Sequence, residues 1–258
     1  AELALLTDQL HNAIQGMGSA WLIGGESGVG KSRLLEELRT LAMVEGAVVL
    51  RGQVNREGDA PYTVWRDVIR WLSLATELDQ QEASVLKALV PDIGKLRGRD
   101  VPDAPEIPAQ ADQARLIGVI DQVFRRQTSP LVVILEDLHW AGDESLALLR
   151  QLNQMMANAP LLIIGSYRDD ERPGLSEQLP QMKIMKLHRL SEAGTADLVE
   201  AMLGPQGRQP ELLQLLQKET EGNVFFLVEM VRALAEEAGE MERIGAGPLP
   251  THVLTGGV

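Results

Sequence analysis

Gly25-Glu26-Ser27-Gly28-Val29-Gly30-Lys31-Ser32 fills the spacing G-x-x-x-x-G-K-[ST]. Its surroundings fit as well. Ala20-Trp21-Leu22-Ile23-Gly24 reads as an apolar strand entering the loop, and Leu34, Leu35, Leu38, Leu41 and Ala42 recur at helical spacing after it. Such a loop binds phosphate. Its glycines let successive backbone N–H groups turn inward around the anion, Lys31 can reach the outer phosphates, and the Ser32 hydroxyl can ligate Mg²⁺. The following helix points its positive end at the same anion. The blander alternative, a glycine turn that only starts a helix, is disfavoured by the strand and helix standing where the motif needs them.

The 258 residues are 45% hydrophobic, enough for a core of full size, and long enough for a core with a smaller partner. A formal charge of −13 and a pI near 4.8 argue against direct nucleic-acid binding through this segment, which would need clustered Lys and Arg. With no cysteine there is neither a disulfide frame nor a thiolate metal site. The four histidines, His11, His139, His188 and His252, show no metal-ligand spacing. Leu131–Leu135, the longest apolar strand-like run, is too short to span a bilayer, and no signal pattern opens the chain. The expectation is a soluble, cytoplasmic protein without membrane contact. A start at Ala1 and an end at Gly256-Gly257-Val258 suggest a piece of something longer.

Along the chain, Leu3, Leu6, Leu10 and Ile14 predict an opening helix, and Ala47–Arg51 a second strand. Residues 52–112 read as an insertion of helices and loop. Val64, Trp65, Val68, Ile69, Trp71 and Leu72 mark helical periodicity, and three prolines between Val101 and Pro108 mark an irregular connection. Trp65 and Trp71, at helical spacing in an acidic chain, read as core rather than as a platform for bases. A helix over 113–126 leads to the strand 131–135, then a helix over 143–156 and strands at 161–165 and 184–187. Strands continuous in Val, Leu and Ile that alternate with helices indicate a parallel sheet buried on both faces. Beyond about residue 190 only helices are predicted, over 191–203, 210–221 and 225–238. The domain reading is therefore 1–190 for a nucleotide-binding core, 191–240 for a helical lid and 241–258 for a linker.

The strand 131–135 runs into Glu136 and Asp137, a Walker B pattern in which the first acid holds Mg²⁺ and the second polarises the attacking water. Glu136 is accordingly assigned to the metal with Ser32, and Asp137 to the base. The alternative is a solvated strand end or a helix cap. Gly165-Ser166-Tyr167-Arg168-Asp169-Asp170 closes the next strand, so Arg168 can sense or stabilise a γ-phosphate. It can equally be paired on the surface with Asp169, Asp170 or Glu171. The nucleotide-binding set is Gly25, Ser27, Gly28, Val29, Gly30, Lys31, Ser32 and Arg33.

With these residues the chain resembles the STAND branch of the AAA-related P-loop ATPases, modules of large bacterial signalling regulators joined to kinase, cyclase or DNA-binding domains and to helical repeats. The resemblance rests on the phosphate loop, Leu135-Glu136-Asp137-Leu138-His139-Trp140-Ala141, Gly165–Glu171, and Glu221-Gly222-Asn223-Val224-Phe225-Phe226-Leu227-Val228-Glu229. It implies an α/β P-loop core with a five-stranded parallel sheet in the order 5-1-4-3-2. The strand leading to Arg168 would lie between those carrying the phosphate loop and Glu136, and a small helical lid would follow. It also implies ATP or ADP with Mg²⁺, other domains of the same longer chain as partners, and self-association when active. Val224 stands where the family has a proline that touches the base, and Gly142-Asp143 follows His-Trp-Ala where the family often has an acid at once. The family's Gly-Arg element upstream and its winged-helix region downstream are absent from this sequence.

The leading functional expectation is a nucleotide-operated switch that hydrolyses ATP slowly. The alternatives are a scaffold that holds nucleotide without turnover, and a small-molecule phosphotransferase. The last is ranked lowest because an acidic strand end followed by a separate arginine strand fits hydrolases better.

Overall fold

A computed structural model describes residues 1–54, 61–154 and 156–238. The expected linker 241–258 and part of the insertion lie outside the described residues. The elements run α1 (Glu2–Ile14), β1 (Ser19–Gly24), α2 (Lys31–Val44), β2 (Val48–Gln53), α3 (Arg66–Ala75), α4 (Gln80–Leu86), α5 (Ile93–Arg97) and α6 (Ala109–Arg125). There follow β3 (Leu131–Glu136), α7 (Asp143–Gln154), β4 (Leu161–Ser166), α8 (Leu175–Gln178), β5 (Lys183–Lys186), α9 (Glu192–Leu203), α10 (Pro210–Thr220) and α11 (Val224–Ala238).

The five strands form one parallel sheet in the order β2-β3-β4-β1-β5, the order that the family resemblance implies. All six residues of β3 and all six of β4 are buried, as strands covered on both faces must be. Ala20, Leu22, Leu131, Val133, Leu135, Leu161 and Ile163 enter the core shared with α3, α4, α6 and α7. The alternate residues Trp21, Ile23, Val132, Ile134, Leu162 and Ile164 are buried too, which period-two alternation assigns to the opposite face.

Inside the insertion, α4 starts with a capping box: Asp79 accepts from the Glu82 amide at 2.7 Å, and Glu82 accepts from the Asp79 amide at 3.0 Å. Trp65 is fully buried, meets Phe124 edge-on at 6.3 Å and donates its Nε1 proton to the Ser145 carbonyl. Trp71 departs from the sequence expectation of a core residue: it is 37% exposed. It sits on α3 three residues after Val68 and one before Leu72, which take the buried positions, so the ring falls on the edge of the apolar stripe.

The chain divides into two compact units. Of the described residues, one unit comprises those within Ala1–Gly24 and Ser32–Lys186; the other comprises Gly25–Lys31 with those from Leu187 onward. The second unit has its own core, built on Val199, Leu203, Leu212, Leu216, Leu227, Val231 and Leu234 from α9, α10 and α11. Ser191 caps α9 by accepting from the Gly194 amide, and Pro210 opens α10, where its missing N–H costs nothing. The phosphate loop is thus packed with the C-terminal helices, although the chain delivers it from β1.

Candidate functional site

In the second unit the loop glycines adopt backbone conformations that few other residues reach: φ is +80° at Gly28 and +102° at Gly30. Lys31 folds back over the loop and donates to the Gly25 carbonyl at 2.6 Å and the Glu26 carbonyl at 2.7 Å. Val29 is buried, Ser27 is exposed, and the space beside Gly30 is open. Consecutive amides turned by such glycines make a cradle for an anion, so the residues present fit a phosphate chain.

Asn223, which is 5% exposed, joins this loop to α11. Its Nδ2 donates to the Ser27 carbonyl at 2.9 Å, while its Oδ1 accepts from the Phe225 amide at 3.1 Å and caps the helix. The Phe225 amide also reaches the Gly28 carbonyl at 3.0 Å. A β-carbon on Gly28 would stand 2.5 Å from the Asn223 oxygen, so this position requires glycine for space as well as for φ. Arg189 adds a second fastening: Nε donates to Glu26 at 2.9 Å and one terminal nitrogen to Glu221 at 2.5 Å.

In the first unit, Ser32 and Arg33 lie in the first turn of α2; both are exposed, and Arg33 pairs with Glu37 one turn on. Glu136 ends β3, with its side chain only 5% exposed, and its Oε1 accepts from Arg51 on the neighbouring strand β2. Asp137 follows in the left-handed region, with φ 59° and ψ 39°. Successive side chains of an extended strand point to opposite faces; this local turn breaks the alternation. Asp137 accepts at 3.0 Å from Gln53, two residues beyond Arg51 and so on the same face of β2. The two acids are therefore held by alternate residues of one edge strand.

Arg168 follows β4, the strand between β1 and β3, so the acids and the arginine belong to adjacent strand ends. Its guanidinium pairs with Glu171 at 2.5 Å and lies 5.8 Å from the centre of the Trp140 ring. The arginine thus has the surface partner that the sequence allowed, and no bond to either acid is present among the described residues.

The Ser32 hydroxyl and the Glu136 carboxylate are hard oxygen donors of the kind that suit Mg²⁺. Arg51 bonds to one oxygen of Glu136, Oε1. No group of three or more His, Cys, Asp or Glu among the described residues could hold an ion alone. Arg51, Gln53, Arg189 and the capping role of Asn223 went unread in the sequence. Only the pairing of β2 with β3 reveals the first two; an Asn immediately before a helix start is the one local sign of the last.

The profile of the AAA ATPase domain family matches residues 1–164, which hold the loop and both acids. The chain belongs to the AAA ATPase domain family. This AAA ATPase domain is 27% identical over 278 aligned positions to an uncharacterized protein of Rhizobium meliloti (strain 1021), covering 98% of this chain and 26% of that one. Among solved structures it resembles Cdc6p of Pyrobaculum aerophilum, with a TM-score of 0.54, 14% identity, and 93% of this chain and 62% of that one covered. It also resembles the Aeropyrum pernix ORC1 protein in complex with DNA (TM-score 0.53, 17% identity, 98% and 63% covered). PCH-2 of C. elegans is similar too (TM-score 0.52, 12% identity, 93% and 62% covered). At these identities the likeness is one of fold. The AAA ATPase domain spans about a quarter of its Rhizobium relative and under two thirds of each solved structure. No helix among its described residues is long and apolar enough to cross a membrane.

Proposed function

We propose that this chain is the ATP-operated switch module, of STAND type, of a larger cytoplasmic regulator, and that it hydrolyses ATP slowly. The observation that carries the reading is Asn223: one buried amide caps α11 and binds the phosphate loop, so occupancy of the loop bears directly on the helical unit. In this reading the amides of Gly25, Ser27, Gly28, Val29 and Gly30, with Lys31, receive the phosphates, and Arg33 lies beside the nucleotide. Ser32 and Glu136 hold Mg²⁺, which supplies charge neutralisation for the phosphates. Asp137 accepts a proton from the attacking water, and Arg168 meets the γ-phosphate. Residues 1–190 form the core, 191–240 the lid and 241–258 the linker to further domains, with self-association in the active state. The charge of −13 sets this segment apart from direct DNA contact, which is a property of the ORC1 complex.

The test is Mg²⁺-dependent phosphate release from ATP beside Asp137→Asn, with calorimetry and limited proteolysis in ADP and ATP. Turnover lost in the variant and a nucleotide-dependent proteolytic pattern support the switch. Equal ADP and ATP affinities with identical patterns count against it. A second reading, a scaffold that keeps its nucleotide without hydrolysis, draws support from Arg51 and Gln53, which occupy both acids. Intact ATP recovered from denatured protein, with no turnover, would favour it.

A further inference from the structure

Glu171 is the meeting point of the two turns that follow β3 and β4. Its Oε1 accepts from Arg168 at 2.5 Å. Its Oε2 accepts from the Trp140 indole N–H at 3.2 Å and lies 3.5 Å from Nε2 of His139, whose side chain is fully buried. The rings of Trp140 and His139 meet at a tilt of 49°, with centres 4.4 Å apart. Both belong to the short turn Leu138–Trp140 that begins at Asp137. Arg172 fastens the same two turns again by donating to the Ala141 carbonyl at 2.8 Å. Burial works against the charge of Glu171, yet Arg168's hydrogen bond and field, with His139 and Trp140, outweigh it and hold the carboxyl below its ordinary range.

We propose that Glu171 is a positioning residue for ATP turnover, the joint through which Arg168 and the Asp137 turn are set together. A carboxylate has two acceptor oxygens, and here each serves a different turn. Any ligand that draws Arg168 away removes the guanidinium from one oxygen and changes the charge beside the Trp140 indole. In the proposed ATPase reading the γ-phosphate, which ADP lacks, is that ligand. Trp140 would therefore report ATP and ADP differently, while Arg168 unbound by phosphate stays parked on Glu171. This inference rests on the proposed ATPase reading and names the residue that couples its arginine to its base.

The experiment compares wild type with Glu171→Gln, whose single amide oxygen can serve one turn but not both. Each is measured beside its Trp140→Phe counterpart, so that subtraction isolates that indole's emission. Calorimetry gives the affinities for ADP and a non-hydrolysable ATP analogue. In wild type the Trp140 emission should differ between the two nucleotides. In Glu171→Gln that difference should vanish, affinity should stay within about threefold, and turnover should fall about tenfold. A variant that keeps both the emission difference and the turnover overturns the proposal. So does one that loses affinity, turnover and thermal stability together, which marks a structural role only. If wild type binds no nucleotide, the ATPase reading is what fails. The nucleotide-free emission then judges the joint alone, and an unchanged Trp140 spectrum in Glu171→Gln overturns it.

Discussion

Arg51 holds Glu136 across the β2–β3 pairing, although 85 residues separate them in sequence. The carboxylate is almost wholly buried and the guanidinium half exposed. Removing the arginine leaves a buried acid without its counter-charge, which costs more than the pair itself contributes. Arg51→Met should destabilise the protein by about 1–3 kcal/mol, below the figure for a fully buried pair. Adding Glu136→Gln should recover most of that loss. Urea unfolding of the single and double variants checks both.

Asp137 combines its proposed role as base with a backbone conformation that most residues resist. Asn tolerates the left-handed region and keeps the side chain's shape, so Asp137→Asn should fold and bind nucleotide as wild type does. Turnover should drop about a hundredfold or more, the usual contribution of a general base. Asp137→Ala should lose turnover too and unfold about 1 kcal/mol sooner, because alanine is strained at positive φ. Phosphate release and thermal melting together separate the two effects.

Lys31 bonds to the loop's own carbonyls and is poised over the phosphate cradle. Lys31→Ala should weaken ATP by about 1.5–3 kcal/mol, roughly tenfold to 150-fold, the worth of a charge-assisted hydrogen bond. Calorimetry measures this; unchanged affinity would remove the phosphate-binding assignment of the loop.

Asn223→Ala removes a helix cap and the bond to the Ser27 carbonyl in one step. A loss of about 1–2 kcal/mol is expected, with faster amide exchange in the first turn of α11 and in the phosphate loop. Asn223→Asp keeps the cap but loses the donor, so exchange should rise in the loop and not in the helix. Hydrogen exchange resolved by mass spectrometry distinguishes the two.

Glu82 provides a pH handle in the first unit. Arg126 hydrogen-bonds its carboxylate, the Asp79 amide adds a second donor, and together they hold the carboxyl below its ordinary range against the effect of burial. A depressed carboxyl stabilises the fold above its unfolded value, roughly pH 4.3, and loses that contribution as pH falls through the folded value. Glu82→Gln should therefore be about 1–3 kcal/mol less stable than wild type at neutral pH, and the gap should close in acid. Urea titrations at neutral and acidic pH test the convergence.

The sheet was readable because continuous runs such as Leu131–Leu135 and Leu161–Gly165 admit little but buried parallel strands between helices. The loop was readable because phosphate chemistry fixes its residues in one short segment. Arg51 and Gln53 were not, since their partners come from a strand joined to β2 only by pairing, and local pattern carries no sign of register. Trp71 was misplaced because helical spacing names a stripe, and a residue at its margin can be wetted at little cost. The partner of Arg168 was within reach: an arginine three residues before a glutamate already offers it.

The phosphate loop is threaded between β1 and α2 yet belongs to the unit of α9, α10 and α11, so the chain passes from one unit to the other after Gly24, after Lys31 and after Lys186. A piece with three such passages cannot be excised by one cut. A fragment that starts at Leu187 would carry Asn223 without the Ser27 carbonyl, and one that stops at Lys186 would carry the loop without its cap. Neither fragment keeps the bond between Asn223 and Ser27. Recombination or truncation at that point would divide one phosphate-binding device rather than separate two, and the gene segment encoding it must be moved whole.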